Sequence, residues 1–143
     1  MTTILADAKL GIMVSDSNIS DGERCGTMRK VWRVKGALVG CSGTVSEIEE
    51  FIKYWRTGEK TKFPSVSALV LSEDGLLYFA GSNAPIHVQS GREAVGTGAM
   101  AAMAAYEALA FKDPRKAVSI ACKHDANSRT PTRVYHLNTK DKK

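Results

Sequence analysis

An α+β domain is what this sequence predicts, with antiparallel sheets covered by helices that stand apart from the strands. Three observations predict it. The periodic segments run strands, helix, strands, two helices, strand; neighbouring strands are joined by short turns that favour hairpins; and no helix alternates with single strands as a βαβ wind requires. With 143 residues, the chain is long enough to bury a real core as a single domain, 1–143.

Thr3 to Ala8 and Ile12 to Asp16 read as two strands joined through Lys9-Leu10-Gly11. Ile19 to Thr27 is polar and broken by glycine, a loop or weak strand. Arg29 to Val34 alternates polar and apolar residues, Lys35-Gly36 turns the chain, and Ala37 to Cys41 is a small apolar strand entering the turn Ser42-Gly43. A helix begins there: Thr44 and Glu47 have capping-box spacing, and Val45, Ile48, Phe51, Ile52 and Trp55 form one apolar stripe closed near Gly58. Val66 to Leu71 and Leu76 to Ala80 flank the turn Glu73-Asp74-Gly75, with Ile86 to Val88 and Ala94-Val95 as shorter strand signals. Ala99 to Phe111 is a helix of small side chains. Asp113-Pro114 supplies the N-cap and first-turn proline of another, Arg115 to about His124, and Pro131 to Leu137 closes the chain as a strand.

The net charge of +5 admits an anionic partner, but the basic residues form no block beyond the tail Lys140-Asp141-Lys142-Lys143, so no nucleic-acid partner is expected. The longest low-polarity stretch, Gly98 to Phe111, is too short to span a bilayer and contains Glu107; no membrane partner is expected. Cys25, Cys41 and Cys122 are an odd number without CxxC spacing or a preceding signal peptide, which predicts a reducing cytoplasm. His87, His124 and His136 lack metal-ligand spacing, so neither a metal nor another cofactor is expected.

The chemistry concentrates at the amino terminus. Removal of Met1 from Met1-Thr2-Thr3 would leave Thr2 with a free hydroxyl and a free α-amine, nucleophile and base in one residue. An α-amine titrates near ~7.7–8.0, so a useful fraction is unprotonated at neutral pH. Asp16, Lys30, Gly43, Thr97 and the Asp125–Ser128 pair are the further candidates. Each also has an ordinary structural role: strand-end turn, solvent-facing strand residue, helix-entry turn, N-cap and polar loop.

Taken together, these residues resemble the proteasome β-subunit and the HslV-type peptidase, both N-terminal-nucleophile hydrolases. Thr2-Thr3-Ile4 resembles the mature start of the HslV type. Asp16-Ser17-Asn18-Ile19-Ser20 resembles the segment whose Asp supports an active-site lysine, and Met28-Arg29-Lys30-Val31 the segment that carries it. Gly40-Cys41-Ser42-Gly43 is similar to the oxyanion-hole segment, Gly96-Thr97-Gly98 to a Gly-Ser-Gly motif, and Asp125 with Ser128 to the Asp and Ser beside the nucleophile. The intervals Thr2 to Asp16 and Asp16 to Lys30 are each a couple of residues tighter than is usual in the family, an even change that preserves strand parity.

The resemblance implies a four-layer αββα sandwich of antiparallel sheets, here lacking one outer helix because only Glu59 to Pro64 stands where relatives place it. It also implies a threonine-type endopeptidase acting on unfolded polypeptide, a homo-oligomeric ring and an ATP-driven unfoldase partner. Thr2 is then the nucleophile, Lys30 a charged stabiliser held by Asp16, and Gly43 an oxyanion donor. Asp125, Ser128 and Thr97 would orient the amine, and Ile19, Ser20, Cys41 and Val45 would contact substrate. Cys41 is more safely read as a small buried hydrophobe. A small-molecule amidase and a catalytically silent ring subunit are the alternatives within the same fold.

Overall fold

The computed structural model describes residues 2–20, 25–27, 29–125, 128 and 131–138, with the side chains of 18–20 and 25–27 excepted. The first sheet pairs β1 (Ile4–Asp7) with β2 (Ile12–Ser15), and adds β10 (Arg92–Val95) beside β1 and β11 (Arg133–His136) beside β2, all antiparallel. The second runs in the order β5 (Val31–Val34), β6 (Ala37–Ser42), β7 (Ser67–Ser72), β8 (Gly75–Ala80), β9 (Ile86–His87). Helix α1 (Val45–Thr57) follows β6, while α2 (Ala99–Ala108) and α3 (Pro114–His124) stand together between β10 and β11 in the chain. The polar segment before β5 forms a small hairpin, β3 (Asn18–Ser20) with β4 (Cys25–Thr27).

Strand alternation sorts the buried side chains into three layers. On β6 and β7, Val39, Cys41, Ala68 and Val70 turn to Ile48, Phe51 and Ile52 of α1, joined by Phe63 and Phe79. Leu38, Leu69 and Leu71 point the other way, where they meet Ile4, Ala6, Met13 and Val95 of the first sheet. On that sheet's far face, Leu5, Val14 and Ala94 pack against Ala102, Tyr106, Ala117, Val118 and Ala121. Helix, sheet, sheet and helix pair therefore stack as four layers with one apolar seam between each two. Small residues on α2 and α3 let these helices approach β1 and β2 closely.

Two local expectations are corrected. The Thr44–Glu47 capping box does not form: Thr44 makes no side-chain cap, and the Glu47 Oε1 accepts the Ser65 N–H at 2.7 Å instead. Glu47 thus anchors the 58–66 connection, which carries no helix, as its short length predicted. Helix α2 stops at Ala108 rather than Phe111. Ala110 and Phe111 take φ of 56° and 58°, turning Phe111 back onto Tyr106 at 5.3 Å and beneath the Arg92 guanidinium at 4.0 Å.

Candidate active site

The ends of several elements meet at one edge of the sandwich: β1 starts there, β2 ends, β10 ends into α2, and α3 ends. The β1–β2 ladder continues one pair further, with the Asp16 N–H donating to the Thr3 carbonyl at 3.0 Å and the Thr3 N–H donating to Asp16 Oδ1 at 2.9 Å. Backbone pairing therefore fixes the Asp16 carboxylate beside Thr2 and Thr3. Lys30 arrives from the other sheet, immediately before β5, where its carbonyl accepts the Cys41 N–H at 3.2 Å.

Lys30 Nζ donates to Asp16 Oδ1 at 3.0 Å and to Thr2 Oγ1 at 3.0 Å. All three residues are buried. Burial lowers the Lys30 pKa from 10.5, with the Asp16 carboxylate opposing the shift through charge and hydrogen bond. An ammonium in this position would stabilise negative charge on Thr2 Oγ1 as its proton leaves.

A second chain of contacts lies alongside. Thr97 Oγ1 and Ser128 Oγ each donate to Asp125 Oδ2 at 2.6 Å, and Ser128 Oγ lies 2.5 Å from Thr3 Oγ1. Thr97, Asp125 and Ser128, expected to orient the Thr2 amine, thus meet the amino-terminal segment at the hydroxyl of Thr3. The sequence offered no sign of this role for Thr3, because its partner is 125 positions away.

Gly43 stands just past β6, whose Cys41 is bonded to Lys30, and at the entry to α1. Its φ is +143°, and a Cβ there would lie 2.8 Å from the Ser65 carbonyl oxygen, so the turn requires glycine. Two of the expected substrate contacts, Cys41 and Val45, can be placed. Cys41 is fully buried with its side chain in the α1 layer, because strand alternation turns it away from the inter-sheet side. Val45 lines an outer groove of about 300 Å³ with Trp32, Ile48, Glu49, Ile52, Lys53 and Arg56. The side chains of Ile19 and Ser20 lie outside the described residues, as does Met1.

Cys122, on α3, was not singled out by sequence. Burial pushes its thiol up to about 11, with Asp16 and Asp125 adding to the shift and Lys30 opposing it. At neutral pH it is a protonated thiol beside the site, not a competing nucleophile. Among the described residues, no group of three or more His, Cys, Asp or Glu is placed to hold a metal ion, and no helix is long and apolar enough to cross a membrane.

No model of a known protein family matches the sequence, and no curated protein does either. Solved structures do match. The chain is similar to BPH of Thiobacillus denitrificans in complex with epoxomicin, at 17% identity, TM-score 0.76, over 96% of this chain and 100% of that one. It is similar to eukaryotic HslV from Trypanosoma brucei at 26% identity, TM-score 0.70, over 94% of this chain and 98% of that one. With the sheet order and helix placement above, these likenesses give the chain the N-terminal-nucleophile hydrolase fold and show its resemblance to the HslV-type peptidases over nearly its whole length.

Proposed function

We propose that this chain, working as one domain over residues 1–143, is a threonine-type endopeptidase of unfolded polypeptides, with Thr2 as nucleophile once Met1 is removed. The observation that carries this reading is the Lys30 ammonium 3.0 Å from Thr2 Oγ1 while tied to Asp16. Thr2 Oγ1 attacks the scissile carbonyl carbon and passes its proton to the α-amine. The amide N–H of Gly43 receives the oxyanion, a donor type whose loss costs ~10²–10³ in rate. The protonated amine then gives its proton to the departing peptide amine, and water hydrolyses the ester left on Thr2. Asp125, Ser128 and Thr97 hold the amino-terminal segment in register for this exchange.

The resemblance to HslV-type peptidases supports assembly into a homo-oligomeric ring served by an ATP-driven unfoldase in the cytoplasm. Degradation of an unfolded polypeptide by the purified protein, lost in Thr2→Ala, is the expected result. A Thr2→Ala variant that degrades as fast as the wild type would overturn the proposal.

A further inference from the structure

Thr3 is as buried as its neighbours in β1, yet it is polar, so its hydroxyl must be hydrogen-bonded. A hydroxyl has one hydrogen to give, and an ionised carboxylate has none. Ser128 Oγ spends its hydrogen on Asp125 Oδ2 at 2.6 Å, and Thr97 spends its own on the same oxygen. The contact of 2.5 Å between Ser128 Oγ and Thr3 Oγ1 therefore takes its hydrogen from Thr3. The polarity is fixed: Thr3 donates to Ser128, and Ser128 donates to Asp125.

The main chain of the same residue serves the other carboxylate, its N–H donating to the Asp16 oxygen that also receives Lys30. The loop 96–98 is pressed onto this segment. A Cβ at Gly98 would lie 2.0 Å from Thr3 Oγ1, and one at Gly96 would lie 1.9 Å from the Thr2 carbonyl oxygen. The loop is thus in close contact with both the Thr3 hydroxyl and the Thr2 carbonyl.

We infer that Thr3 is a positioning residue for the Thr2 chemistry, joining the Asp16–Lys30 pair to the Asp125–Ser128–Thr97 chain and setting the direction of its protons. The inference rests on the proposed threonine nucleophile. With every proton directed toward Asp125, the chain presents oxygen lone pairs at its Thr3 end. That polarity favours positive charge one residue away, on the Thr2 amine, when it takes the nucleophile's proton.

The test is the rate of Thr2 modification by an epoxyketone as a function of pH, in Thr3→Val, Thr3→Ser and Ser128→Ala. Thr3→Val, nearly isosteric but without the hydroxyl, is expected to slow labelling on the order of tenfold, the equivalent of one hydrogen bond. Its acid limb moves to lower pH, since a less stabilised amine cation loses its proton sooner. Thr3→Ser recovers most of the rate. Ser128→Ala, which breaks the link from its other end, shifts the limb in the same sense even where Thr3→Val is too unstable to assay. The double variant Thr3→Val/Ser128→Ala is no slower than the slower single.

A wild-type rate and pH profile in Thr3→Val, or independent additive losses in the double variant, would overturn the role of Thr3 while leaving Thr2 as nucleophile. A wild-type protein that is never labelled at Thr2 would overturn both.

Discussion

Lys30 is the residue on which the site turns, because two opposing effects act on its charge. Burial drives the ammonium toward neutrality and Asp16 holds it charged; burial wins, so its pKa lies below 10.5. The consequences for rate and stability have opposite signs. As pH rises through the lowered value, Lys30 loses the charge that would stabilise Thr2 Oγ1, and epoxyketone labelling should fall before an ordinary lysine titrates. In the same window, up to 10.5, the unfolded chain binds the proton that the folded chain has released, so Lys30 makes stability rise with pH. Denaturant midpoints of wild type against Lys30→Met should show this rise only where the lysine is present. A rise shared equally by both proteins would remove Lys30 as its source. Lys30→Met should also be less stable than wild type at neutral pH, since Asp16 is left buried without its cation. Cys122, held protonated by burial, should react slowly with iodoacetamide at pH 7, and Cys122→Ala should leave Thr2 labelling intact. Rapid alkylation there would show that the thiol ionises.

At the scale of the element, the strands and helices decide where these groups stand. The buried strand 37–41 and the Ile48, Phe51, Ile52 stripe of α1 were legible in the sequence, but the opposite facing of Leu38 and Val39 into two apolar layers emerges only in the structure. Phe51 has its ring within 5.0 Å of Phe63 and 4.9 Å of Phe79, so Phe51→Ala should cost about 3–5 kcal/mol in chemical denaturation, the usual range for a buried aromatic. What the sequence could not disclose were side-chain partners chosen across long intervals. Glu47 has capping-box spacing to Thr44, yet it bonds the Ser65 amide, 18 positions on. Likewise Thr97 reads locally as an N-cap before α2, but its hydroxyl crosses to Asp125. The close approach of loop 96–98 to β1 makes a sharp prediction. Gly96→Ala must push the Thr2 carbonyl aside, so it should suppress labelling of Thr2 far more than it lowers the melting temperature. Equal effects of Gly96→Ala and of an alanine at Gly58, where a Cβ meets nothing within 4 Å, would contradict that geometry.

For the whole molecule, the four layers supply a frame in which the second sheet delivers one lysine to the start of the first. Asp16 and Thr3 reach that point by backbone pairing, Lys30 by a separate strand, and Asp125 by the end of α3. Thr2, Asp16 and Lys30 could be picked out by residue type and order. Thr3 could not, since nothing local separates it from any other strand threonine. Cys41 is fully buried in the α1 layer, as its reading as a small buried hydrophobe expects, because strand alternation decides its face. If the proposed ring forms, its contacts are made without a helix between α1 and β7. Sedimentation is expected to give a particle of six or more copies; a stable monomer would move the proposal toward a small-molecule amidase.

The most direct measurement is peptide mapping of the purified protein after treatment with epoxomicin. Met1 is expected to be absent, with one inhibitor adduct on Thr2 that spans its hydroxyl and α-amine and is lost in Lys30→Met. A chain with a free Thr2 terminus that carries no adduct, or carries it at another residue, would contradict the assignment of Thr2 as nucleophile.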